Sequence, residues 1–383
     1  MKLNPVLDKL GAYQIAMIQE RARALAAAGK RLIDFSIGDP REPTPRFISE
    51  ALHAAVPAVS QYPLTAGMPE LRRAIADYLG RRFGVTVDPD TQVMPTSGSK
   101  EAVFSSPLAF VDPTADESVV YGTPGYPIYE RGALFAGATT DPIVLDGDFV
   151  LRASDVSEES WDRARMLWIC TPHNPTGAVT SEDELAELVA TARATDTLLM
   201  SDECYADIYE EAAYPDGPGS ALQHAGDGAE GVLAFFSCSK RSGMTGYRSG
   251  AMVGDAAAIA ALKRLRTATG TASPDFVQAA AAAAWSDDAH AAERRAIFAE
   301  KRRVLRPAFA KLGLEVVAST AGLYMWVKVD DDMAVTERLL EHGIVVSPGR
   351  FFGAGGEGYL RLALVPTVDD CEDAGMAIVE ALT

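Results

Sequence analysis

A chain of 383 residues, 48% hydrophobic and 23% charged, is too long for one small core and is suited to one large domain with a smaller companion. Its formal charge of −18 argues against a nucleic-acid partner, whose binding rests on clustered Lys and Arg, and reads instead as a solubility feature that would fit salt adaptation. MKLNPVLDKLGAY lacks the apolar stretch of a signal peptide and no apolar run approaches the ~18 residues of a membrane span, so a cytoplasmic location and no membrane partner are expected.

In chain order, residues 13–28 carry a helical pattern and lead into IDFSIGDP, a segment too short to fold alone and expected to pack on the second domain. Five short apolar runs follow, at 92–94, 118–121, 166–170, 197–200 and 232–236. Between them lie helical patterns such as SEDELAELVATARA, with a Ser and acidic residues at its start. This alternation predicts an α/β domain around a mostly parallel, buried sheet, spanning 46–280. The Ala run at 279–284 reads as a packed helix. Beyond it come a charged helix over 290–312, the strand-like LEVVAS and LYMWVKV, a helix over 335–342, and the strands IVVSP and YLRLALV. Residues 281–383, together with 1–45, are therefore expected to form a smaller α+β domain. The four cysteines lack CxxC spacing, and Cys170, Cys204 and Cys238 end apolar runs as core thiols do. The five histidines form no HExxH or Cys/His cluster, so no metal is expected.

In open α/β sheets ligands bind beyond the carboxyl ends of the strands, and the residues that follow each apolar run are chemically coherent. TSGSKEA aims the backbone N–H groups of Gly98, Ser99 and Lys100 at an anion, although alone it reads as an ordinary helix start. TPGYP sets Tyr126 on a turn, where a ring can face a flat ligand or merely solvent. TPHNPTG offers the Asn174 amide at the sheet edge, with His173 left as structural. In SDECY, Asp202 directly follows an apolar strand and is either a helix cap or the partner of a ligand cation; Tyr205 would face the same way. SCSKRSGMTGYRSG places Lys240 beside apolar strands and near Arg241 and Arg248. These conditions lower a lysine from its usual value of about 10.4 and favour Schiff-base chemistry.

From IGDP through YPLTAGMPELRRAI, TSGSKEA, PGYP, PHNPTG, SDECY and SCSKRSGMTGYRSG to YLRLAL, the chain resembles the fold type I pyridoxal 5'-phosphate aminotransferases of classes I and II. The resemblance implies a seven-stranded, mostly parallel sheet in the larger domain and a Schiff base on Lys240, which also carries the proton of the 1,3-prototropic shift. It implies Asp202 against the pyridinium nitrogen, Asn174 and Tyr205 on the ring's 3'-oxygen, and Tyr126 on the ring face. The phosphate would rest on Gly98, Ser99 and Lys100, with Ser237, Ser239 and Arg248 completing its cup. Tyr62 would reach the phosphate of a neighbouring subunit, which implies a homodimer with shared sites. Arg361, in YLRLAL, matches the arginine that grips the substrate α-carboxylate, with Gly38 adding a backbone contact. Ser249 departs from the aliphatic residue of the family's pattern.

Within the family, SIGDPREPTP, SKRSGMTGYRSG, AAW before DDAH with His290, and ALVPTVDDC look most like the N-succinyl-diaminopimelate aminotransferases of lysine biosynthesis. The resemblance implies glutamate as amino donor and a keto acid as acceptor. A second substrate carboxylate would need a further cation, for which Arg41 and Arg350 are candidates. GTASPD and the short loop between Pro348 and Tyr359 depart from that branch. An aspartate or broad-specificity aminotransferase and a lyase or decarboxylase on the same fold are the rival readings. An aminotransferase-like effector domain of a transcription factor is disfavoured, because no helix-turn-helix precedes the motifs.

Overall fold

The computed structural model describes residues 1–10 and 14–383, the side chains of residues 14–16 excepted; Tyr13, the expected start of the first helix, lies outside them. Thirteen strands form among the described residues, in chain order: β1 Ile33–Asp34, β2 Val93–Thr96, β3 Ser118–Thr123, β4 Thr139–Val144, β5 Ala164–Cys170, β6 Leu198–Asp202, β7 Val232–Ser237, β8 Gly250–Gly254, β9 Val316–Val317, β10 Tyr324–Lys328, β11 Ile344–Val345, β12 Ser347–Pro348 and β13 Tyr359–Ala363. Seven of them make one sheet in the order β2-β8-β7-β6-β5-β3-β4. Only β8 runs against the rest, pairing antiparallel with both β2 and β7. The α/β architecture and the mostly parallel sheet agree with the sequence-based expectation.

Side-chain alternation explains why the central strands are apolar on both faces. Leu167, Ile169, Ala234 and Phe236 pack on one side with Trp161, Leu185 and Trp285. Met166, Trp168, Leu233 and Phe235 pack on the other with Tyr129 and Leu262. The sheet's two edge strands each carry a proline, Pro95 in β2 and Pro142 in β4. Proline cannot complete a ladder on both sides and also blocks further pairing there. The helix Glu182–Ala194 starts where SEDE predicts: the Ser181 hydroxyl accepts from the Glu184 N–H at 3.3 Å, and the Glu184 carboxylate accepts from the Ser181 N–H at 2.8 Å.

A second, antiparallel sheet has the order β12-β13-β10-β9. The expected helices over 290–312 and 335–342 form as Ala289–Lys311 and Asp332–Glu341. Phe298, Leu305 and Phe309 of the first, with Cys371 and Ile378 of the helix Val368–Leu382, share a core with Met325, Leu360 and Leu362 of this sheet. The segment IDFS joins it: β1 pairs parallel with β11, and the Ala363 N–H donates to the Phe35 carbonyl at 2.8 Å. Cys204, Tyr205 and Ile208, just past β6 of the large sheet, belong to the same cluster, so the two sheets meet at the carboxyl ends of the large sheet's strands. All four cysteines are buried. Among the described residues no helix is long and apolar enough to cross a membrane.

Ser181→Ala should lower unfolding stability by about 1 kcal/mol, read as a shifted urea midpoint at unchanged slope; an unchanged midpoint would mean that the capping box is not what starts this helix.

Candidate active site

Lys240 lies in the single-turn helix Cys238–Arg241, which follows β7 and is capped by Ser237, whose hydroxyl accepts from the Ser239 N–H at 3.1 Å. Its neighbour Arg241 fixes this turn from below. The buried guanidinium meets Asp207 at 2.8 Å and Asp288 at 2.7 Å, donates to the Ala284 carbonyl at 2.7 Å, and lies against the rings of Tyr78 and Trp285. With Arg241 committed inward, Lys240 points the other way and its ammonium donates to the Gly38 carbonyl. Burial lowers Lys240 to about 8; Arg248 and Arg361 also lower it, while Asp39 opposes them. The sequence reading gave this role to Arg241 and Arg248; Arg241 is instead neutralised by Asp207, and Arg361 acts in its stead.

At the end of β6 the buried Asp202 carboxylate accepts from the Tyr129 hydroxyl at 2.8 Å and from the Cys204 N–H at 3.3 Å. Burial raises its pKa, and the hydrogen bonds from Cys204 and Tyr129 hold it down. Such a carboxylate is completed by a cation. Tyr129 stacks on Trp168 of β5 with ring centroids 4.8 Å apart, which fixes its hydroxyl, and Tyr126 meets Tyr129 edge-on at 5.6 Å.

One turn beyond β6, Tyr205 Oη lies 2.8 Å from Tyr324 Oη on β10. The Arg361 guanidinium, reaching in from β13, sits 4.6 Å from the Tyr324 ring and 4.3 Å from the Phe352 ring. It donates to the Ser36 carbonyl at 2.6 Å and to Asn174 Oδ1 at 3.3 Å. A Cβ on Gly38 would come 2.9 Å from Tyr324 Oη, so the absent side chain lets IDFSIGDP close over these groups. Lys240, Asp202, Tyr205, Asn174, Gly38 and Arg361, separated by up to 323 positions (361 − 38) in sequence, thus come together between the two sheets.

A second group is cationic. Burial lowers the Lys100 ammonium, with Arg131 and Arg248 lowering it further, so three cations crowd one place. Arg248 takes a left-handed backbone (φ 55°) and donates to the Thr245 carbonyl at 2.9 Å. Gly98 has φ +85°, and a Cβ there would collide with the Arg248 guanidinium. Glu101, one residue beyond Lys100, is committed to Arg266. The arrangement calls for an anion.

The other residues singled out in the sequence lie apart from this centre or at its margin. Arg41 is exposed, and its charge is only the smallest of those that lower Asp370, which pairs with Arg31 at 2.9 Å. Arg350 is held by the fully buried Asp332, with Nε 3.0 Å from both carboxylate oxygens. Tyr62 is fully exposed. His173 is buried and 2.8 Å from the Thr176 hydroxyl, and burial lowers it to about 4, as befits a structural residue. His290 bridges Asp287 and Ser242 beneath the Lys240 turn. Ser249 is buried, its carbonyl accepting from the Cys238 N–H at 3.2 Å. In GTASPD, the Ser273 hydroxyl donates to the Thr96 carbonyl at 3.3 Å, beside the TSGS turn. Sequence reasoning missed Tyr129, Arg131 and Tyr324. Tyr129 and Arg131 follow TPGYP within five residues of Tyr126, on the helix Ile128–Ala136; Tyr324 reads as an ordinary apolar strand residue, and only the fold turns it toward Tyr205.

Residues 30–378 match the family model for aminotransferase class I and II. The chain belongs to that family. It is therefore a transaminase whose cofactor is pyridoxal 5'-phosphate. It is 36% identical to an LL-diaminopimelate aminotransferase of Nitratidesulfovibrio vulgaris over 97% of both chains. Among solved structures it resembles an aminotransferase from Neisseria meningitidis (TM-score 0.92, 35% identity, all of both chains). It also resembles a probable N-succinyldiaminopimelate aminotransferase from Thermus thermophilus (TM-score 0.89, 28% identity, 96% of this chain and 99% of that one).

Two predictions rest on this geometry. If Lys240 is the amine that takes the cofactor's aldehyde, reloading of cofactor-free enzyme with pyridoxal phosphate should quicken as pH rises toward about 8 and level off above it, because only the neutral amine is a nucleophile; a rate still climbing at pH 10 would show an ordinary, solvated lysine. Gly98→Ala should weaken cofactor retention roughly tenfold or more, about the 1.4 kcal/mol expected of a displaced charge-assisted hydrogen bond, in equilibrium dialysis; unchanged retention would place the anion elsewhere.

Proposed function

We propose that Lys240 carries the cofactor and that the groups around it hold, tune and serve it during amino transfer. Three features of the chain support this reading: a buried carboxylate, Asp202, with no ion-pair partner among the described residues; a cluster of cations around a glycine that a Cβ would block; and a lysine brought to about 8. They match a pyridinium nitrogen, a phosphate and an aldehyde respectively. Bound pyridoxal phosphate supplies an aldehyde that links to amines and a ring that takes up the electron pair left when the amino acid's α-carbon loses its proton.

In this proposal Asp202 stays anionic against the ring nitrogen. Gly98, Ser99, Lys100, Ser237, Ser239 and Arg248 hold the phosphate, Tyr126 covers the ring face, and Asn174 and Tyr205 donate to the ring oxygen. Arg361 binds the α-carboxylate of the amino acid by two parallel hydrogen bonds, with Gly38 lining the same place. Orientation by Arg361 would turn the α-hydrogen toward Lys240, whose free amine would take that proton and return it two bonds away, completing the 1,3 shift. The second half-reaction runs the same steps in reverse on a 2-oxo acid.

For the substrate, we propose a diaminopimelate-type amino acid of lysine biosynthesis, with glutamate and 2-oxoglutarate as the other pair. The free LL-form is favoured over the N-succinyl form that the sequence motifs suggested, because the relative at 36% identity over nearly the full length is named for the free amino acid. Arg350 does not favour a second carboxylate, being tied to Asp332. The same proposal includes a homodimer. Val56, Val59, Tyr62 and Leu64 are exposed together in one segment, which is what a surface covered by a second copy would show, and Tyr62 would cross to the neighbour's phosphate. It also includes the division into a large domain, 46–280, and a small one, 1–45 with 281–383, which the two separate sheets support, and a cytoplasmic location.

Each donor, mixed alone with the holoenzyme, should bleach the aldehyde band and form the amine cofactor in stoichiometric amount. LL-Diaminopimelate and glutamate should do so within the mixing time of a turnover, N-succinyl-LL-diaminopimelate and aspartate at least roughly tenfold more slowly, a discrimination of about 1.4 kcal/mol. Faster reaction with the succinylated substrate would reverse the choice between the two. Product release with the aldehyde retained would replace transamination by a lyase reaction.

A further inference from the structure

The hydroxyls of Tyr205 and Tyr324 face each other at 2.8 Å, with both rings buried and meeting at a steep angle, centroids 5.5 Å apart. Each hydroxyl has one proton to give and two lone pairs to offer. In a closed pair of this kind one tyrosine gives its proton to the other, and the second keeps its own proton for a third group. Which one gives depends on the charges around each ring. Arg361 lies over the Tyr324 ring at 4.6 Å. A cation in that position stabilises negative charge building on the phenol oxygen, which makes Tyr324 the stronger donor. Burial pushes both phenols up. Asp202 and Cys170 add to the rise at both rings, and Arg361 leads the groups that counter it at Tyr324. These groups act on the pair from β13, β6 and β5, and the Lys240 ammonium stands near it at the Gly38 carbonyl.

We infer that Tyr324 is a positioning residue which donates its proton to Tyr205 Oη and thereby leaves the Tyr205 proton aimed at the cofactor's ring oxygen. This rests on the placement of Tyr205 beside that oxygen proposed above. Gly38 belongs to the same device, since a Cβ there would stand 2.9 Å from Tyr324 Oη and displace the hydroxyl. Hydrogen bonds in a chain polarise one another, so a proton accepted from Tyr324 makes Tyr205 a better donor in turn. The arrangement also places the carboxylate-binding arginine one ring away from the group that tunes the cofactor.

The test is a spectrophotometric pH titration of the Lys240-linked cofactor in holoenzyme carrying Tyr205→Phe, Tyr324→Phe, or both. Each change keeps its ring, and Tyr324→Phe thereby keeps the packing against Arg361. A hydrogen bond donated to the ring oxygen withdraws electron density and lowers the pH at which the linked nitrogen takes up a proton; losing it moves the midpoint up. Tyr205→Phe should therefore raise the midpoint, and Tyr324→Phe should raise it by a part of that shift, on the order of 10–30%. The double variant should match Tyr205→Phe alone, because Tyr324 acts only through Tyr205. No shift in Tyr324→Phe, or an equal Tyr324→Phe shift in the Tyr205→Phe background, would overturn the inference while leaving Tyr205 at the ring oxygen. No shift in Tyr205→Phe would remove that placement and the inference with it.

Discussion

The buried ion pair between Arg241 and Asp207 is the constraint on which the geometry around Lys240 depends. It ties the turn after β7 to the turn after β6, and Tyr78, Arg82 and Asp288 complete its hydrogen bonds and charges. Buried pairs of this kind add little net stability over apolar packing, yet removing one partner costs about 3–5 kcal/mol because the other charge is stranded. Its value here is directional. With Arg241 held inward, the neighbouring Lys240 has one way to point, into the space between the two sheets. Arg294 adds to this from the helix Ala289–Lys311, donating to the Lys240 carbonyl at 3.4 Å and to that of Pro43 at 3.3 Å.

The rest of the site follows from a sheet whose strands end in polar groups and from a second sheet placed over those ends. The parallel strands deliver Asp202, Asn174 and the cation cluster from one side. The antiparallel strands deliver Arg361 and Tyr324 from the other, and the register that pairs Arg361 with Trp326 brings the guanidinium over the Tyr324 ring and within reach of Asn174. In the proposed reading the amino acid is gripped by one sheet and its reaction served by the other. Charge is divided as that reading requires, with the Asp202 carboxylate past β6, cations around Gly98, and Lys240 lowered by burial.

Much of this was legible in the chain because the relevant residues punctuate strong patterns. The five apolar runs were all strands, and the residues just past four of them supply Lys100, Asn174, Asp202 and Lys240. β4 and β8 left weaker traces. β4 is an edge strand with a proline and no buried residue, and GAMVG is a short run bounded by glycines whose partners β2 and β7 complete its pairing. Arg241 shows the limit of proximity in sequence. It stands next to Lys240, yet the backbone turns it away, and Arg361, 121 positions (361 − 240) further on, is the arginine whose charge is felt. Arg350 shows the same limit, since nothing in the chain announces that Asp332 stands beside it. Tyr129 and Tyr324 were missed because buried tyrosines on a helix and a strand look like core until the fold aims their hydroxyls.

The measurement that bears most directly on this account is the position of the cofactor's covalent attachment. Holoenzyme reduced with borohydride and digested should yield one phosphopyridoxyl peptide, carrying the label on Lys240. Label on Lys100 or on a surface lysine, with Lys240 unmodified, would contradict the reading of the whole site.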